Sequence, residues 1–576
     1  MFLSPEDKAI GRENFYAAIG SKPIRRDLLK KAIKSEVSSG KGLGSLYYGY
    51  GSVSDPVRVG VIGTGDEGSV LLGAINPKYL TVRAIADVRP YNVWRAFNGD
   101  LSSPSARKAR PGLMKVYGWK SEDQARKNVK VYGSYEELIA NAKADGIEAV
   151  VIALPLHLHA PAAIAAMKAG LHVLTEKLMG HTVHECKEMA RMAAKTNLLL
   201  ATGHQRHYNI LYDDATDMIR KGLLGELHHI RAQWHRGNLP GKDSWQMPMP
   251  KAAKPDDAQA NELDAKLLNL VKKLEAAKKD NSKSAAELEK QVDQTKAQIQ
   301  DAVVDAKKYG YQDAELKDAS GRVLYQRPAI EELIRWRLWD RTGAGLMAEL
   351  GSHQLDAASI FIAAAHGGKK QYPLNVAAAG NRPLFPVDRD VEDHVYCLFE
   401  FPAPGYDPKD PVGKLKKIGV QYASINGNGF GGYGETVFGT SGTLVLETEK
   451  DVMLYRTHET GSKTKVAPVK GKKDAAVLQI DEDGDPESAA IGTLGALPAE
   501  RGYREQLEHW AWCIRNRGPE NLPHCHPKVA LGDAVIALTT NMAARQGARI
   551  EFDKNWFDID SDATPEGVKP DLGRYK

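Results

Sequence analysis

Cysteine is scarce in this chain. Four occur in 576 residues, at positions 186, 397, 513 and 525, and no two form a CxxC pair. That spacing gives no disulfide framework and argues against a structural zinc site. Long apolar runs are missing too: none approaches the roughly 20 residues that a membrane helix needs. An excess of one charge is also lacking, since 78 Lys and Arg face 73 Asp and Glu for a net charge of +5. Over such a length that balance is too mild to imply nucleic acid or a membrane surface as partner. What is present is ordinary for a globular protein, 42% hydrophobic and 26% charged residues. The length allows two or three domains with substantial cores.

Near the N-terminus, Ile24-Arg25-Arg26-Asp27-Leu28-Leu29-Lys30 resembles a twin-arginine export signal. The apolar stretch that should follow is replaced by Lys31-Ala32-Ile33-Lys34-Ser35-Glu36 and a Ser/Gly/Tyr-rich tract. The expectation is therefore a cytoplasmic protein, with twin-arginine export as the alternative. Residues 1–55 read as an arm, either poorly packed or docked on a partner subunit.

From Pro56 onward strand and helix signals alternate, the pattern of a parallel sheet with crossover helices. Val57-Arg58-Val59-Gly60-Val61-Ile62 is a buried first strand, and further strands are expected at 81–86, 147–153, 172–175 and 198–202. Ser134-Tyr135-Glu136-Glu137 reads as a capping box. Residues 56–225 thus read as a doubly wound α/β Rossmann domain. After Gly225 the helices thin out. Strand signals at 228–235, 376–379, 394–401, 418–424, 435–439, 443–446 and 452–455 predict an α+β domain with a large, mainly antiparallel open sheet over 226–500. A helix over 352–365 should cover one face. Residues 501–576 should supply C-terminal helices at about 503–515 and 527–546, packed at the domain junction.

Within the second domain, 255–308 differs in composition. It is rich in Ala, Lys, Glu, Gln, Asp and Leu, with no Gly or Pro after Pro255. Leu263, Leu267, Leu270 and Leu274 keep helical spacing, as do Leu288, Val292, Thr295 and Ile299, with a break at Lys279-Asp280-Asn281-Ser282. An inserted antiparallel helical hairpin is the simplest reading, and one long coiled coil the alternative. It is expected to lie outside the chemistry.

Gly63-Thr64-Gly65-Asp66-Glu67-Gly68 fits G-x-G-x-x-G. The pattern is weak alone, but here it follows a buried strand, opens a helix and precedes an acid, Asp87, at the end of the next strand. Gly63 permits the tight turn and Gly65 lets backbone approach a pyrophosphate, with Gly68 completing the pattern at the helix start. Asp87 would hold the adenosine ribose hydroxyls and so favour NAD. Arg89 is the candidate for holding a 2′-phosphate if the cofactor is NADP.

Several segments in order then resemble the glucose–fructose oxidoreductase / inositol dehydrogenase (Gfo/Idh/MocA) family. Ala153-Leu154-Pro155-Leu156-His157-Leu158-His159 looks like its cofactor loop, and Glu176-Lys177-Leu178 like its E-K-P signature with Leu for Pro. Gly203-His204-Gln205-Arg206-His207-Tyr208-Asn209 resembles the segment leaving the dinucleotide domain. Glu349-Leu350-Gly351-Ser352-His353-Gln354-Leu355-Asp356 resembles the substrate segment, with Glu for its usual Asp. The resemblance implies Pro155, His159 and Glu176 at the cofactor, and Lys177, Glu349 and His353 in catalysis. It also implies a homo-oligomer.

A strand-end lysine can stabilise a developing alkoxide, and an imidazole can take its proton. Spacings of four and three put Glu349, His353 and Asp356 on one helical face, where Glu349 would orient the His353 ring. Whether Lys177 or His353 is the terminal base stays open. Asp356, Arg206 and Trp336 are the expected substrate contacts. His524-Cys525-His526 is not expected to bind metal, its ligands being contiguous in a loop. The activity expected is hydride transfer between NAD, or alternatively NADP, and a ring hydroxyl of a sugar, inositol or related polyol. An NAD-dependent glycosidase working through a transient keto-sugar and a non-catalytic sugar or cofactor sensor are the rivals.

Overall fold

The computed structural model describes residues 3–20, 47–257, 260–385, 387–468, 476–480 and 501–575. The twin-arginine-like segment lies outside the described residues. Six parallel strands, β1 (Val57–Ile62), β2 (Leu80–Ala86), β3 (Lys130–Tyr132), β4 (Ala149–Ile152), β5 (His172–Thr175) and β6 (Leu200–Thr202), form the first sheet in the order β3-β2-β1-β4-β5-β6. Their runs of Val, Ile, Leu and Ala are buried because helices cover both faces. The order reverses between β1 and β4, and a ligand of such a sheet binds beyond the strand ends at that point. Ser134 caps its helix by accepting from the Glu137 amide, but the Glu137 carboxylate turns back to the Gly133 amide. The reciprocal half of the expected capping box is therefore displaced by one residue.

The second sheet begins with β7 (Leu227–His235). A short hairpin that the sequence reading missed, β8 (Ala314–Lys317) with β9 (Val323–Arg327), stands apart. Then come β10 (Asn375–Asn381), β11 (His394–Pro402), β12 (Lys417–Ile425), β13 (Tyr433–Gly439), β14 (Gly442–Glu447) and β15 (Asp451–Arg456). A separate pair, β16 (Thr464–Pro468) and β17 (Ala476–Ile480), precedes the last strand, β18 (Arg549–Glu551). The eight-stranded order is β15-β14-β13-β7-β12-β11-β10-β18, antiparallel except where β12 runs parallel to β7. Period-two alternation gives this sheet one buried face, and the helix Ser352–Ala365 packs across it with Phe361 fully enclosed.

Two C-terminal helices join the halves. Tyr503–Arg515 drives Leu507, Trp510 and Cys513 into the core behind β1 and β2, and Pro527–Gln546 packs against both the helix Val183–Thr196 and β10. The N-terminal helix Pro5–Gly20 is not a loose arm. Phe15 is wholly buried, Asn14 donates to the Leu454 carbonyl, and the helix lies along β15 of its own chain.

The insertion is an antiparallel pair of helices, Ala260–Lys279 and Ala285–Gln300, with Leu270, Leu274 and Val292 in the seam. It docks on the first domain. Its second helix packs on the helix Pro90–Asn98, where Gln294 accepts from the Leu101 amide and donates to Asp100. Buried polar groups need partners, and these two elements supply one another's.

Candidate functional site

A cleft of about 1170 Å³ opens beyond the carboxyl ends of β1, β2, β4 and β5 and reaches the second domain at β7 and the Glu349 segment. Its first end is built on the glycine turn. Gly63 has φ +83°, and a Cβ there would lie 2.4 Å from the Ala153 carbonyl oxygen; one on Gly68 would lie 2.0 Å from that of Gly63. Both positions exclude a side chain. At Gly65 the nearest atom to a Cβ is 3.7 Å away, so this glycine keeps an open approach to backbone rather than relieving a clash. The turn opens the helix Asp66–Ala74, whose first N–H groups suit an anion.

Asp87 ends β2 on the same cleft. Its carboxylate accepts from the Thr64 amide at 2.8 Å, from the Arg89 amide at 2.9 Å and from Asn92. Arg89 also lines the cleft, but its guanidinium is committed to Asp301 from the insertion, at 2.9 Å through Nε and 2.8 Å through a terminal nitrogen. Asp301 is buried and also accepts from the Tyr91 amide. A neutralised Arg89 is ill placed to hold a 2′-phosphate, whereas the open glycine cradle and the Asp87 carboxylate fit NAD. The insertion thus forms part of the cofactor end, contrary to expectation, and Gln298, Tyr309 and Tyr311 join the cleft wall.

Pro155 lies on the loop after β4, and His159 opens the helix His159–Lys168 that follows it. His159 is a pin between loops: one ring nitrogen meets the Leu154 carbonyl and the other that of Leu178, both at 2.8 Å. Glu176, at the end of β5, is buried with Oε1 unpartnered. Burial, then the nearby Glu67 carboxylate, pushes its pKa well above the usual carboxylate range and so favours the protonated form. The Lys177–Leu178 peptide is cis. Lys177 lines the cleft and donates from Nζ to the Glu349 carbonyl oxygen at 2.8 Å.

On the opposite wall a π-type turn, Met347–Gly351, leads into the helix carrying His353. The expected Glu349–His353 pair does not form. Glu349 accepts from Arg337 Nε at 2.8 Å instead, because a permanent guanidinium charge is a stronger partner than a neutral ring. His353 is neutral: burial first, then the charges of Lys177 and Arg206, hold it well below its usual value. Its Nδ1 has no partner, and Trp234 lies beside the ring at 5.5 Å between centroids.

Trp336 lines the cleft under the Arg337 guanidinium, 4.3 Å from its ring. Arg206 and Asp356, expected as substrate contacts, do not line the cleft. Arg206 is 1% exposed, paired with Glu435 and Glu449, and donates to the carbonyl of His353, so it braces that helix from behind. Asp356 faces the interior and accepts from His207 at 2.8 Å. Further in, Cys525 sits with His204 and Asp533 in a buried cluster where the Lys370 ammonium donates to Asp533 and supplies positive charge. His524 instead meets the His207 carbonyl.

The sequence reading missed Trp234, Arg236, Trp245, Tyr433, Arg501 and Tyr503 on the cleft wall. Arg236 lies one residue past β7, and its neighbour Trp234 is on the alternating strand, which was the available signal. Asp301 carried none, since its role rests on a contact 212 residues away in sequence.

Residues 57–204 match the sequence model described as the oxidoreductase family, NAD-binding Rossmann fold. An uncharacterised oxidoreductase of Schizosaccharomyces pombe is 35% identical over 147 residues, 24% of this chain and 39% of that protein. A glycosyl hydrolase family 109 protein of Stenotrophomonas maltophilia is 33% identical over 181 residues, 31% of this chain and 35% of that protein. The chain therefore spans little more than a third of the length of these curated relatives. Among solved structures, an inositol dehydrogenase homologue from Azotobacter vinelandii, complexed with NADH and myo-inositol, is 13% identical with a TM-score of 0.49, covering 87% of this chain and 98% of that one.

Proposed function

We propose that this chain, whose residues 57–204 match the Gfo/Idh/MocA oxidoreductase model with its NAD-binding Rossmann fold, oxidises or reduces a ring hydroxyl of a sugar, inositol or related polyol. Bound NAD would supply the hydride acceptor or donor. What supports the reading most is one observation: Lys177 and a neutral His353 with an unpartnered Nδ1 line the same cleft as the Gly63–Gly65 turn. A secondary alcohol between them loses its proton to the His353 ring while Lys177 Nζ holds the oxygen as negative charge develops. Arg337 keeps Glu349 ionised beside the lysine, so the carboxylate steadies the ammonium through oxidation. Trp234 and Trp336 add aromatic surface to the wall of the same cleft.

A second reading keeps the same groups. Oxidation to a keto-sugar acidifies the neighbouring C–H, a base removes that proton, the aglycone leaves, and water addition and reduction return the cofactor to its starting state. The relatives named for glycosyl hydrolase family 109 favour including it. Incubation with NAD and a panel of sugars and inositols, then with aryl glycosides, separates the two. Net nicotinamide reduction with free polyols supports the first reading. Aglycone release without net reduction replaces it with the second.

A further inference from the structure

Charge at the substrate end of the cleft does not balance. Asp66 is paired with Arg95 at 2.7 Å and Glu349 with Arg337 at 2.8 Å. Burial favours the uncharged forms of Glu176 and His353. Burial opposes ionisation of Glu349, but Lys177, Arg337 and Arg236 together hold it below the usual carboxylate range. Arg337 is shared between Glu349 and Asp66, the latter at 3.9 Å, whereas Arg236 enters no ion pair among the described residues. Glu67, the other acid on this part of the wall, forms no ion pair among the described residues and lies toward Glu176.

Arg236 is the least satisfied of the three. Its guanidinium lies over Trp234 at 5.8 Å and Trp245 at 5.5 Å, aromatic faces that hold a cation without cancelling its charge. Its side chain makes one weak hydrogen bond, to Ser244 Oγ at 3.4 Å, and no carboxylate stands within ion-pair distance among the described residues. Asp243, the nearest acid on its own loop, is taken by Arg389 at 2.7 Å. A guanidinium carries five N–H donors in a planar fork matched to an oxyanion. Holding such a group half-buried and unpaired is unfavourable unless a ligand completes it.

We infer that the substrate is an anionic sugar or polyol, its carboxylate or phosphate held by Arg236 while the hydroxyl to be oxidised lies between Lys177 and His353. The carboxylate form is a glycuronate or aldonate, and the phosphate form a sugar or inositol phosphate; the two share the oxyanion and differ in charge and geometry. The oxyanion contact at Arg236 stands by itself, while the placement of the hydroxyl between Lys177 and His353 rests on the hydride-transfer reading.

The test uses full-length protein loaded with NAD, with intrinsic tryptophan fluorescence as the binding readout, since Trp234 and Trp245 flank the guanidinium. Glucuronate is compared with glucuronamide, which keeps the shape and removes the charge, and glucose 6-phosphate with glucose. One anionic member should bind at least roughly tenfold tighter than its neutral counterpart, the scale of a charge-assisted pair. The advantage should shrink with salt. Whether the carboxylate or the phosphate shows it identifies the source. Arg236→Gln should abolish the difference while leaving NAD affinity intact. Equal binding of the charged and neutral members in the wild type, or a preference that survives in Arg236→Gln, overturns the inference. Binding is read without turnover, so failure of nicotinamide reduction counts against the hydride-transfer reading alone.

Discussion

At the residue scale the proposed chemistry rests on two side chains, Lys177 and His353, on opposite walls of one cleft. Lys177→Ala and His353→Ala should each lower single-turnover rates by roughly 10²- to 10⁴-fold, the range for a positioned acid or base, with NAD affinity retained. If they serve one proton path, the double variant loses far less than the product of the single losses. Unchanged rates in both single variants would remove them from the mechanism. Glu349→Gln keeps a hydrogen-bond acceptor for Arg337 and deletes the charge, so turnover should fall while the fold and NAD binding persist. Motif residues were legible in sequence because each is fixed by local geometry: Gly63 by its φ of +83°, Gly68 by its approach to the Gly63 carbonyl. The roles of Arg206 and Asp356 were not. Spacing gives the side of a helix a residue occupies, not whether buried Glu435, Glu449 or His207 will claim it first.

At the scale of elements, the inserted hairpin matters most. Its helices and leucine seam could be read from three/four spacing, but its placement could not, because the polar contacts through Gln294 and Asp301 join it to segments distant in sequence. Asp301 neutralises Arg89, so Asp301→Asn should free a guanidinium beside Asp87 and narrow the preference for NAD over NADP by roughly tenfold, the scale of one charge-assisted contact. Competitive titration of the two cofactors checks this, and an unchanged ratio would mean that Asp87 alone sets the choice. Replacing 257–307 by a short linker should likewise weaken NAD binding in a protein that still melts cooperatively. Retention of full affinity would return the hairpin to a purely structural role. The strands of the second sheet were visible in period-two alternation, whereas in the β8–β9 hairpin β8 alternates over only four residues and β9 does not alternate.

Across the whole molecule, buried ionisable groups should shape stability against pH. Burial drives His157, His204 and His509 down to about 3 and His172 to about 4. Between those values and 6.5 the unfolded chain binds protons that the folded one refuses, so stability rises with pH. Glu176, raised to about 8, and Glu435, raised to about 7, act oppositely: the folded state keeps protons that the unfolded state has lost, and stability falls as pH climbs toward 8. The histidines outnumber these acids, which places the maximum near about pH 6.5 in denaturant titrations; a stability that climbs steadily to pH 8 would mean that the two glutamates ionise freely. Both domains and the junction helices are joined around one cleft, and the claim that this cleft performs NAD-linked oxidation of a ring hydroxyl is tested most directly by single-turnover nicotinamide absorbance. Stoichiometric NAD-loaded protein is mixed with a panel of neutral and anionic sugars and inositols, wild type beside Lys177→Ala. The expected result is a burst of reduced nicotinamide with at least one member, lost in the variant; no reduction with any member while NAD stays bound, or an equal burst in Lys177→Ala, would contradict it.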